Sequence, residues 1–280
     1  MSVMDYICSN YDSFFDSEQK IAKYIINNYD AVVDLTVTEL AQKSGASEAS
    51  VSRFCKKIGL KGFHHLKISL AKEMVETNIS EEKISNDIDV NNLHQTLQNV
   101  LANKKEELTQ TVSLINEKEF LEILDIINQA RCVQFVAVGG TTPVALDGSF
   151  KFNEIGIMAF ADAVWETQIG FTYNLTKKDV VILISNSGES TDVVNCAKAA
   201  KEVGAKTIAI TNNENSSLGK ASDYHITTAT REKLFLDGYC FSRVSATTII
   251  EIIYLLLTSM RDDAYKKIAQ HENAIAGDKN

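Results

Sequence analysis

The chain has 280 residues, of which 45% are hydrophobic and 23% charged, a composition that excludes collagen-like and extensively disordered proteins. Lysine and arginine number 28 against 37 aspartates and glutamates, so the formal net charge is −9, which argues against a protein coated uniformly by nucleic acid. The length predicts two domains at roughly 150 residues each. Residues 53–72 depart from the acidic balance, because they include six basic residues and no acidic one.

Helical patterns fill the first part of the chain. From Ser17 to about Val75, apolar residues recur near helical spacing, which predicts a small all-α domain. Residues 78–92 are polar, and their few apolar residues show no regular spacing, as is typical of a linker. Apolar residues recur at helical spacing again over residues 93–129. We therefore predict a helical domain at residues 1–77, a linker at 78–92 and a second domain at 93–280.

Short apolar runs alternate with helical segments after Arg131. Three β-branched runs predict strands buried on both faces of a parallel sheet, and two shorter runs are weaker strand candidates. The runs are residues 132–138, 180–184 and 206–210, with the weaker candidates at 157–160 and 224–226. Repeated strand and helix units predict an α/β domain of three layers with a mainly parallel sheet.

Cysteine usage and hydropathy bear on the cellular location. The five cysteines are scattered and never form a C-x-x-C pair, which predicts neither a disulfide framework nor a zinc knuckle. No leader sequence is recognisable, and the most apolar stretch, Thr248 to Leu257, contains Glu251 and is shorter than the roughly 18 residues of a membrane span. We predict a reduced, cytoplasmic protein with no membrane partner.

Residues 36–58 carry the signals of two helices joined by a tight turn. Thr36 and Glu39 form a capping box for the first helix, Gly45 permits a turn with positive φ, and Ser47 caps the second helix. Apolar or small residues fall where the two helices would cross: Leu40, Ala41, Ala46, Val51 and Phe54. This spacing resembles the helix-turn-helix of DNA-binding regulators, whose second helix enters the major groove.

The outward side of the second helix is predicted to contact double-stranded DNA. Serine hydroxyls and Arg53 suit base edges, whereas lysines suit phosphates, whose contacts position the protein without specifying sequence. The alternative is that this basic run is only a solvated helix face. The predicted contacts are Ser47, Ser50, Ser52, Arg53, Lys56, Lys57 and Lys61, with Lys67 as a further phosphate contact.

The first junction between strand and helix in the second domain predicts backbone amides at an anion site. The strand ends in Gly139-Gly140-Thr141-Thr142, and Pro143 suits the first turn of a helix capped by Thr142. The sequence is not G-x-G-x-x-G and lacks the lysine of a P-loop, so it favours neither a dinucleotide nor a nucleoside triphosphate.

The second junction, residues 185–192 (SNSGESTD), surrounds Gly188 with hydroxyl side chains. Hydroxyls and amides at a helix N-terminus suit a phosphoryl group without a buried lysine. The alternative is helix capping combined with solubility. Because both junctions would open at the carboxyl ends of parallel strands, where ligands of this architecture bind, the pair favours a small anionic ligand.

These motifs together resemble a known family. The run ISNSGEST resembles the phosphosugar-binding signature of the SIS (sugar isomerase) domain, and ELAQKSGASEASVSRFCKKIGLKGFHHLK resembles the RpiR helix-turn-helix. The order of the two parts resembles that of RpiR-family bacterial transcriptional regulators over nearly the whole chain. The first junction departs from the Gly-x-Gly-x-Ser type of turn common in the family, which leaves the orientation of the ligand open.

The resemblance implies a set of effector-binding residues. Hydroxyl, amide and glycine positions of the two junctions would hold a sugar phosphate, and Glu232 stands where SIS proteins commonly place an acidic group. Glu189 belongs to the motif, but we interpret it as structural. The implied residues are Thr141, Thr142, Ser185, Asn186, Ser187, Gly188, Ser190 and Glu232.

We therefore predict a DNA-binding transcriptional regulator of sugar metabolism that senses a phosphosugar without turnover, and we predict neither a cofactor nor a metal site. The alternative is a phosphosugar aldose-ketose isomerase with Glu232 as base, but His94, His225 and His271 form no E-x-x-x-H arrangement with it. Sequence motifs of metal sites and of serine hydrolases are missing. Because paired helix-turn-helix heads read half-sites about 34 Å apart, we expect a homodimer or homotetramer.

Overall fold

A computed structural model describes residues 3–77, 88–230 and 242–276. The chain forms two compact units, one of residues 1–110 with 229–242 and the other of residues 111–228 with 243–280. Most of the predicted linker lies outside the described residues, so the domain limits at residues 77 and 93 stay predictions.

The first unit is helical, as the sequence predicts. Its core is a cluster of buried side chains in which the rings of Phe14 and Phe54 meet edge to face, with centroids 5.2 Å apart. Within the described residues its helices are α1 (Val3–Ser9), α2 (Asp16–Asn27), α3 (Tyr29–Val32), α4 (Val37–Ser44), α5 (Glu48–Lys57), α6 (Phe63–Thr77) and α7 (Leu93–Ser113), the last of which ends in the second unit.

The second unit contains a five-stranded sheet in the order β2-β1-β3-β4-β5, and every neighbouring pair is parallel. The strands are β1 (Val133–Ala137), β2 (Ala159–Phe160), β3 (Val180–Ile184), β4 (Lys206–Thr211) and β5 (Tyr224–Thr227). The helices of this unit are α8 (Glu117–Gln129), α9 (Thr142–Glu154), α10 (Trp165–Thr172), α11 (Thr191–Glu202), α12 (Ser217–Ala221), α13 (Val244–Met260) and α14 (Ala264–Ala276). The predicted α/β class with a parallel sheet is confirmed.

Helices cover both faces of this sheet. One apolar cluster joins the strands to α8, α9, α13 and α14, and a second joins them to α10, α11 and α12. Each residue of β1 and β3 is buried, because their side chains point alternately into the two clusters. Helix α9 approaches the sheet at Gly148, where a Cβ atom would lie 2.6 Å from the ring of Phe135. The sheet is therefore the middle of three layers.

The most apolar predicted helix is α13. Its residues Ile249, Ile250 and Ile253 are buried against the sheet, whereas Leu255 is 63% exposed. Among the described residues no single helix is long and apolar enough to cross a membrane; α13 and α14 pass that test only as a pair, which is bent by 113°.

Candidate functional site

The helix-turn-helix signals are confirmed in detail. The hydroxyl of Thr36 accepts a hydrogen bond from the Glu39 backbone N–H at 3.2 Å, and the Glu39 carboxylate accepts from the Thr36 backbone N–H at 2.7 Å. These two contacts form the predicted capping box. The backbone N–H of Thr36, together with its hydroxyl, which donates to the same carboxylate oxygen at 2.8 Å, lowers the pKa of Glu39. Gly45 ends α4 with a φ of 67°, and Ser47 caps α5 by accepting from the Ser50 backbone N–H at 3.1 Å.

Helices α4 and α5 pack against the core through small and apolar side chains. Leu40 and Ala41 of α4 and Val51 and Phe54 of α5 are all buried. Because these positions face the core, the opposite side of α5 is exposed to solvent. The predicted contacts that lie exposed are Ser47, Ser52, Arg53, Lys56, Lys57 and Lys61.

One predicted DNA contact faces inward. Ser50 is only 9% exposed, and its hydroxyl shares a hydrogen bond of 2.9 Å with that of Ser47 while accepting one from Arg53 at 3.4 Å. The expectation that Ser50 lies on the outward surface is therefore wrong. The reason is local, since Ser50 occupies the third position of the helix, where the capping Ser47 binds it.

Two predicted lysines have partners inside the helical unit. The Lys57 ammonium lies 2.6 Å from a Glu18 carboxylate oxygen and 4.7 Å from the centre of the Phe15 ring. Lys67 donates to the backbone carbonyl of Leu35 at 3.0 Å. Lys57 and Lys67 therefore already have partners within the helical unit.

The two predicted junctions of the second unit flank the place where the strand order reverses. Strand β1 pairs with β2 on one side and with β3 on the other, so the connections leaving β1 and β3 diverge. Ligands of open parallel sheets bind in the crevice outside the carboxyl ends of such a strand pair. The two predicted junctions, after Ala137 and Ile184, lie at this crevice.

The first junction differs from its predicted form. Residues 139–141 form a short 3₁₀ turn, so α9 begins at Thr142, and Thr141 takes the cap position without a side-chain capping bond. The Thr141 hydroxyl lies 3.1 Å from the Val138 carbonyl and 3.2 Å from that of Ile184. Thr142 is thus not the N-cap, because the 3₁₀ turn precedes it. Thr141 is buried and joins the first junction to β3, whereas Thr142 is half-buried.

The second junction is organised by its own hydroxyl groups. The Ser185 hydroxyl lies 3.0 Å from that of Ser190 and accepts from the Gly188 backbone N–H at 3.2 Å. The Ser187 hydroxyl accepts from the Glu189 backbone N–H at 3.2 Å. Helix α11 begins at Thr191 without a side-chain capping bond, so the backbone amides of its first turn point out of its N-terminal end.

A third loop, after β4, completes this edge of the sheet, and sequence reasoning missed it. The Asn186 carbonyl accepts from the Asn212 backbone N–H at 2.8 Å. A Cβ atom on Gly188, whose φ is 71°, would lie 2.2 Å from the Ser216 hydroxyl. The polar run TNNENSS that ends β4 and leads into α12 is the sequence signal that marks this loop.

The structure describes Glu189 but not Glu232. The Glu189 carboxylate accepts from the backbone N–H of Ser217 at 2.9 Å and from its hydroxyl at 2.6 Å. Glu189 therefore joins the second loop to the start of α12. This contact is a structural role, in keeping with the interpretation made from the sequence. Glu232 lies in residues 231–241, outside the described residues, and stays a prediction.

His225 lies in β5 beside this edge. Its Nε2 atom is 2.8 Å from the Thr211 hydroxyl, and its Nδ1 atom is 3.2 Å from the Thr227 hydroxyl. Burial lowers the pKa of His225 from 6.5 to about 4. The neutral ring therefore bridges two strands and has both nitrogens engaged.

This shift predicts an acid-dependent loss of stability. The unfolded chain binds a proton at His225 near pH 6.5, whereas the folded chain does so only near pH 4, so the free energy of unfolding falls as the pH drops through that window. The midpoint of thermal unfolding should fall more for the wild type than for His225→Gln between about pH 7 and about pH 5. Equal falls in both proteins would contradict this account of His225.

Comparison with known proteins decides the family. The model of the helix-turn-helix domain of the rpiR family matches residues 1–77, and that of the SIS domain matches residues 126–256. An HTH-type transcriptional regulator of Caldanaerobacter subterraneus is 35% identical over 250 residues, which cover 89% of this chain and 88% of the relative. The chain belongs to the RpiR family. A second relative, an HTH-type transcriptional regulator of Clostridium perfringens, is 30% identical over 94% of both chains.

Solved structures share the fold of this RpiR-family regulator. The NanR protein of Vibrio vulnificus, complexed with ManNAc-6P, covers 99% of the chain and is itself covered to 98%, with a TM-score of 0.60 and 21% identity. The c3406 protein of E. coli CFT073, in complex with another phosphosugar, covers 66% of the chain and is covered in full, with a TM-score of 0.58 and 20% identity. The RpiR-family chain is thus a transcriptional regulator with a helix-turn-helix and a SIS domain.

Proposed function

We propose that this regulator binds a phosphosugar in the crevice between the ends of β1 and β3, and that the bound sugar changes its affinity for operator DNA. The main support for this proposal is that α9 and α11 both begin at this crevice without side-chain capping bonds. Uncapped amides and the positive ends of two helix dipoles attract a phosphate. The ManNAc-6P bound to NanR and the phosphosugar bound to the E. coli protein are the ligands for the first trials.

The half-buried hydroxyls are the groups best placed to contact the phosphate. Ser187, Ser190 and Thr142 are half-buried at the crevice, whereas Ser185 and Thr141 are buried behind them. In this arrangement Ser185 and Thr141 hold the loops in shape, and the outer hydroxyls donate to the phosphate oxygens. Neutral donors bind the anion without a lysine, so binding and release need no proton transfer at the site.

The geometry supports sensing without turnover. Opening a sugar ring and moving a proton between carbons requires a positioned acid and base. His225 has both ring nitrogens engaged by threonines, and its pKa of about 4 keeps it neutral at pH 7. The alternative, an aldose-ketose isomerase, is tested by incubating the protein with the phosphosugars that bind and looking for the isomeric product.

Paired DNA-binding heads require self-association, and α7 offers a surface for it. Leu93, Leu97 and Leu101 recur every fourth residue and are between 57% and 60% exposed, whereas Asn103 and Glu107 are buried. An apolar stripe turned to solvent is typical of a surface that a second chain covers. We therefore propose a homodimer or homotetramer, in which a pair of heads reads half-sites about 34 Å apart.

Light scattering of the full chain measures this directly. The mass should be two or four times the 31.0 kDa of one chain. A mass of one chain at every concentration up to that of the DNA-binding assay would contradict the paired-head arrangement.

Ser187→Asp should weaken phosphosugar binding by about tenfold or more, because the new carboxylate repels the phosphate at close range. DNA binding without the sugar should stay unchanged. Isothermal titration with ManNAc-6P, pentose phosphates and hexose phosphates measures the affinity of the wild type and variant. Ser259→Asp places the same charge on an exposed residue at the far end of α13 and serves as the matched control. Equal affinities in Ser187→Asp and the wild type would rule out this loop as the phosphate site.

A further inference from the structure

A second cluster of polar groups lies away from the phosphosugar crevice, where α14 packs on the end of α9. Glu154 is the last residue of α9, and His271 and Glu272 are neighbours on α14. One ligand atom from each of these residues lies within 4.8 Å of the others. Imidazole and carboxylate groups converge here from two helices of one compact unit.

The contact between His271 and Glu154 is an ion pair when the imidazole is protonated, and it lacks the geometry of a hydrogen bond. The His271 Nδ1 atom lies 3.3 Å from a Glu154 carboxylate oxygen, yet it is buried and has no hydrogen-bond partner among the described residues. A buried ring nitrogen without a hydrogen-bond partner lowers the stability of the folded chain. The Phe150 ring, one turn before Glu154, meets the imidazole edge to face with centroids 5.4 Å apart, so the ring is held in this position.

The separation suits two ligands of one metal ion. Ligand atoms about 2.0–2.2 Å from zinc at a tetrahedral angle lie about 3.3–3.5 Å apart. The observed 3.3 Å between Nδ1 and the carboxylate oxygen falls in that range. Metal coordination would also occupy the nitrogen lone pair that has no other partner among the described residues.

Carboxylates outnumber ammonium groups around the cluster, even when Lys267, which lies one turn before His271 on α14, is counted. Glu154 and Glu272 contribute carboxylates, and the ammonium of nearby Lys151 is directed to others, at 3.2 Å from Asp147 and 3.8 Å from Glu251.

We propose that Glu154, His271 and Glu272 bind a divalent transition-metal ion of the zinc class. One imidazole and two carboxylates match the ligands of zinc better than those of calcium or magnesium, which prefer oxygen ligands only. Three protein ligands leave a fourth position for water. Ala264 is the only buried residue among the described positions of α14, so the metal would fasten a helix that has few apolar contacts with the rest of the unit.

The test uses the untagged full chain after treatment with chelator. Isothermal titration should show one Zn²⁺ bound per chain, and Co²⁺ should give the intense visible absorption of a tetrahedral site with nitrogen and oxygen ligands. Glu154→Gln and His271→Ala should each weaken Zn²⁺ binding at least about tenfold. His94→Ala, which removes an exposed histidine of α7, should leave the affinity unchanged.

Three results would overturn the proposal. They are no Zn²⁺ binding by the wild type, the same affinity in the wild type and in His271→Ala, and a site filled by Mg²⁺ or Ca²⁺ but not by Zn²⁺. Glu272→Gln should also weaken Zn²⁺ binding. Because Glu272 is exposed, this variant keeps the test valid if Glu154→Gln or His271→Ala fails to fold. Thermal unfolding with and without Zn²⁺ gives an independent readout, because a bound metal raises the unfolding temperature of the wild type but not of the variants.

Discussion

Gly188→Ala should reduce phosphosugar binding by roughly 100-fold or more, the largest effect expected from any single substitution at the crevice. Gly188 has a φ of 71°, and the added Cβ would lie 2.2 Å from the Ser216 hydroxyl and 2.5 Å from its Cβ atom. The loop must therefore move away from β4 or change its backbone conformation. Either change displaces the hydroxyls of Ser187 and Ser190 from their positions at the start of α11.

A double variant separates the steric cause from the conformational one. Ser216→Gly removes the hydroxyl and Cβ atom that the new methyl group meets, and glycine caps a helix nearly as well as serine, within a few tenths of a kcal/mol. Gly188→Ala combined with Ser216→Gly should recover part of the lost affinity, and the unfavourable φ accounts for the rest. Titration with the phosphosugar that binds best measures both proteins. Full affinity in Gly188→Ala alone would show that this loop does not shape the site.

Arg53→Ala should weaken operator binding by about 1–3 kcal/mol, or roughly 5- to 150-fold, and leave phosphosugar binding unchanged. Arg53 is exposed on α5, and its guanidinium lies 3.4 Å from the hydroxyl of buried Ser50. That contact limits the orientations of the guanidinium before DNA is bound. Sequence specificity at the contacted base pair should relax together with affinity.

Fluorescence anisotropy across a salt series distinguishes base contacts from phosphate contacts. Lys56→Ala should weaken binding to all sequences alike and reduce the salt slope by about one, as expected for a phosphate contact. Lys198→Ala, an exposed cation on α11 of the second unit, is the charge-matched control and should bind DNA normally. Wild-type affinity and specificity in Arg53→Ala would contradict the placement of α5 in the groove.

Local signals in the sequence predicted much of both units. The capping box at Thr36 and the turn at Gly45 depend on residues only a few positions apart, and the strands β1, β3 and β4 depend on short β-branched runs. Such features depend on residues close together in the chain, so they can be predicted from the sequence alone.

Contacts between distant residues could not be predicted in this way. The ion pair between Lys57 and Glu18 joins residues 39 positions apart, and the approach of Ser216 to Gly188 depends on the packing of two loops. The cluster of Glu154 and His271 likewise forms only when α14 packs on α9. No spacing rule along the chain brings these groups together, because tertiary packing determines their distances.

The most direct test of the account measures DNA binding by fluorescence anisotropy with and without the phosphosugar that binds best. The DNA is taken from upstream of the protein's own gene, and the wild type is compared with Ser187→Asp. The phosphosugar should change the dissociation constant for operator DNA by about 5- to 150-fold in the wild type, and Ser187→Asp should need about tenfold or more sugar for the same change. By thermodynamic linkage, operator DNA should change the affinity for the sugar by the same factor. Operator affinity that stays constant while the crevice is saturated with sugar would contradict the proposed role as a phosphosugar-responsive regulator.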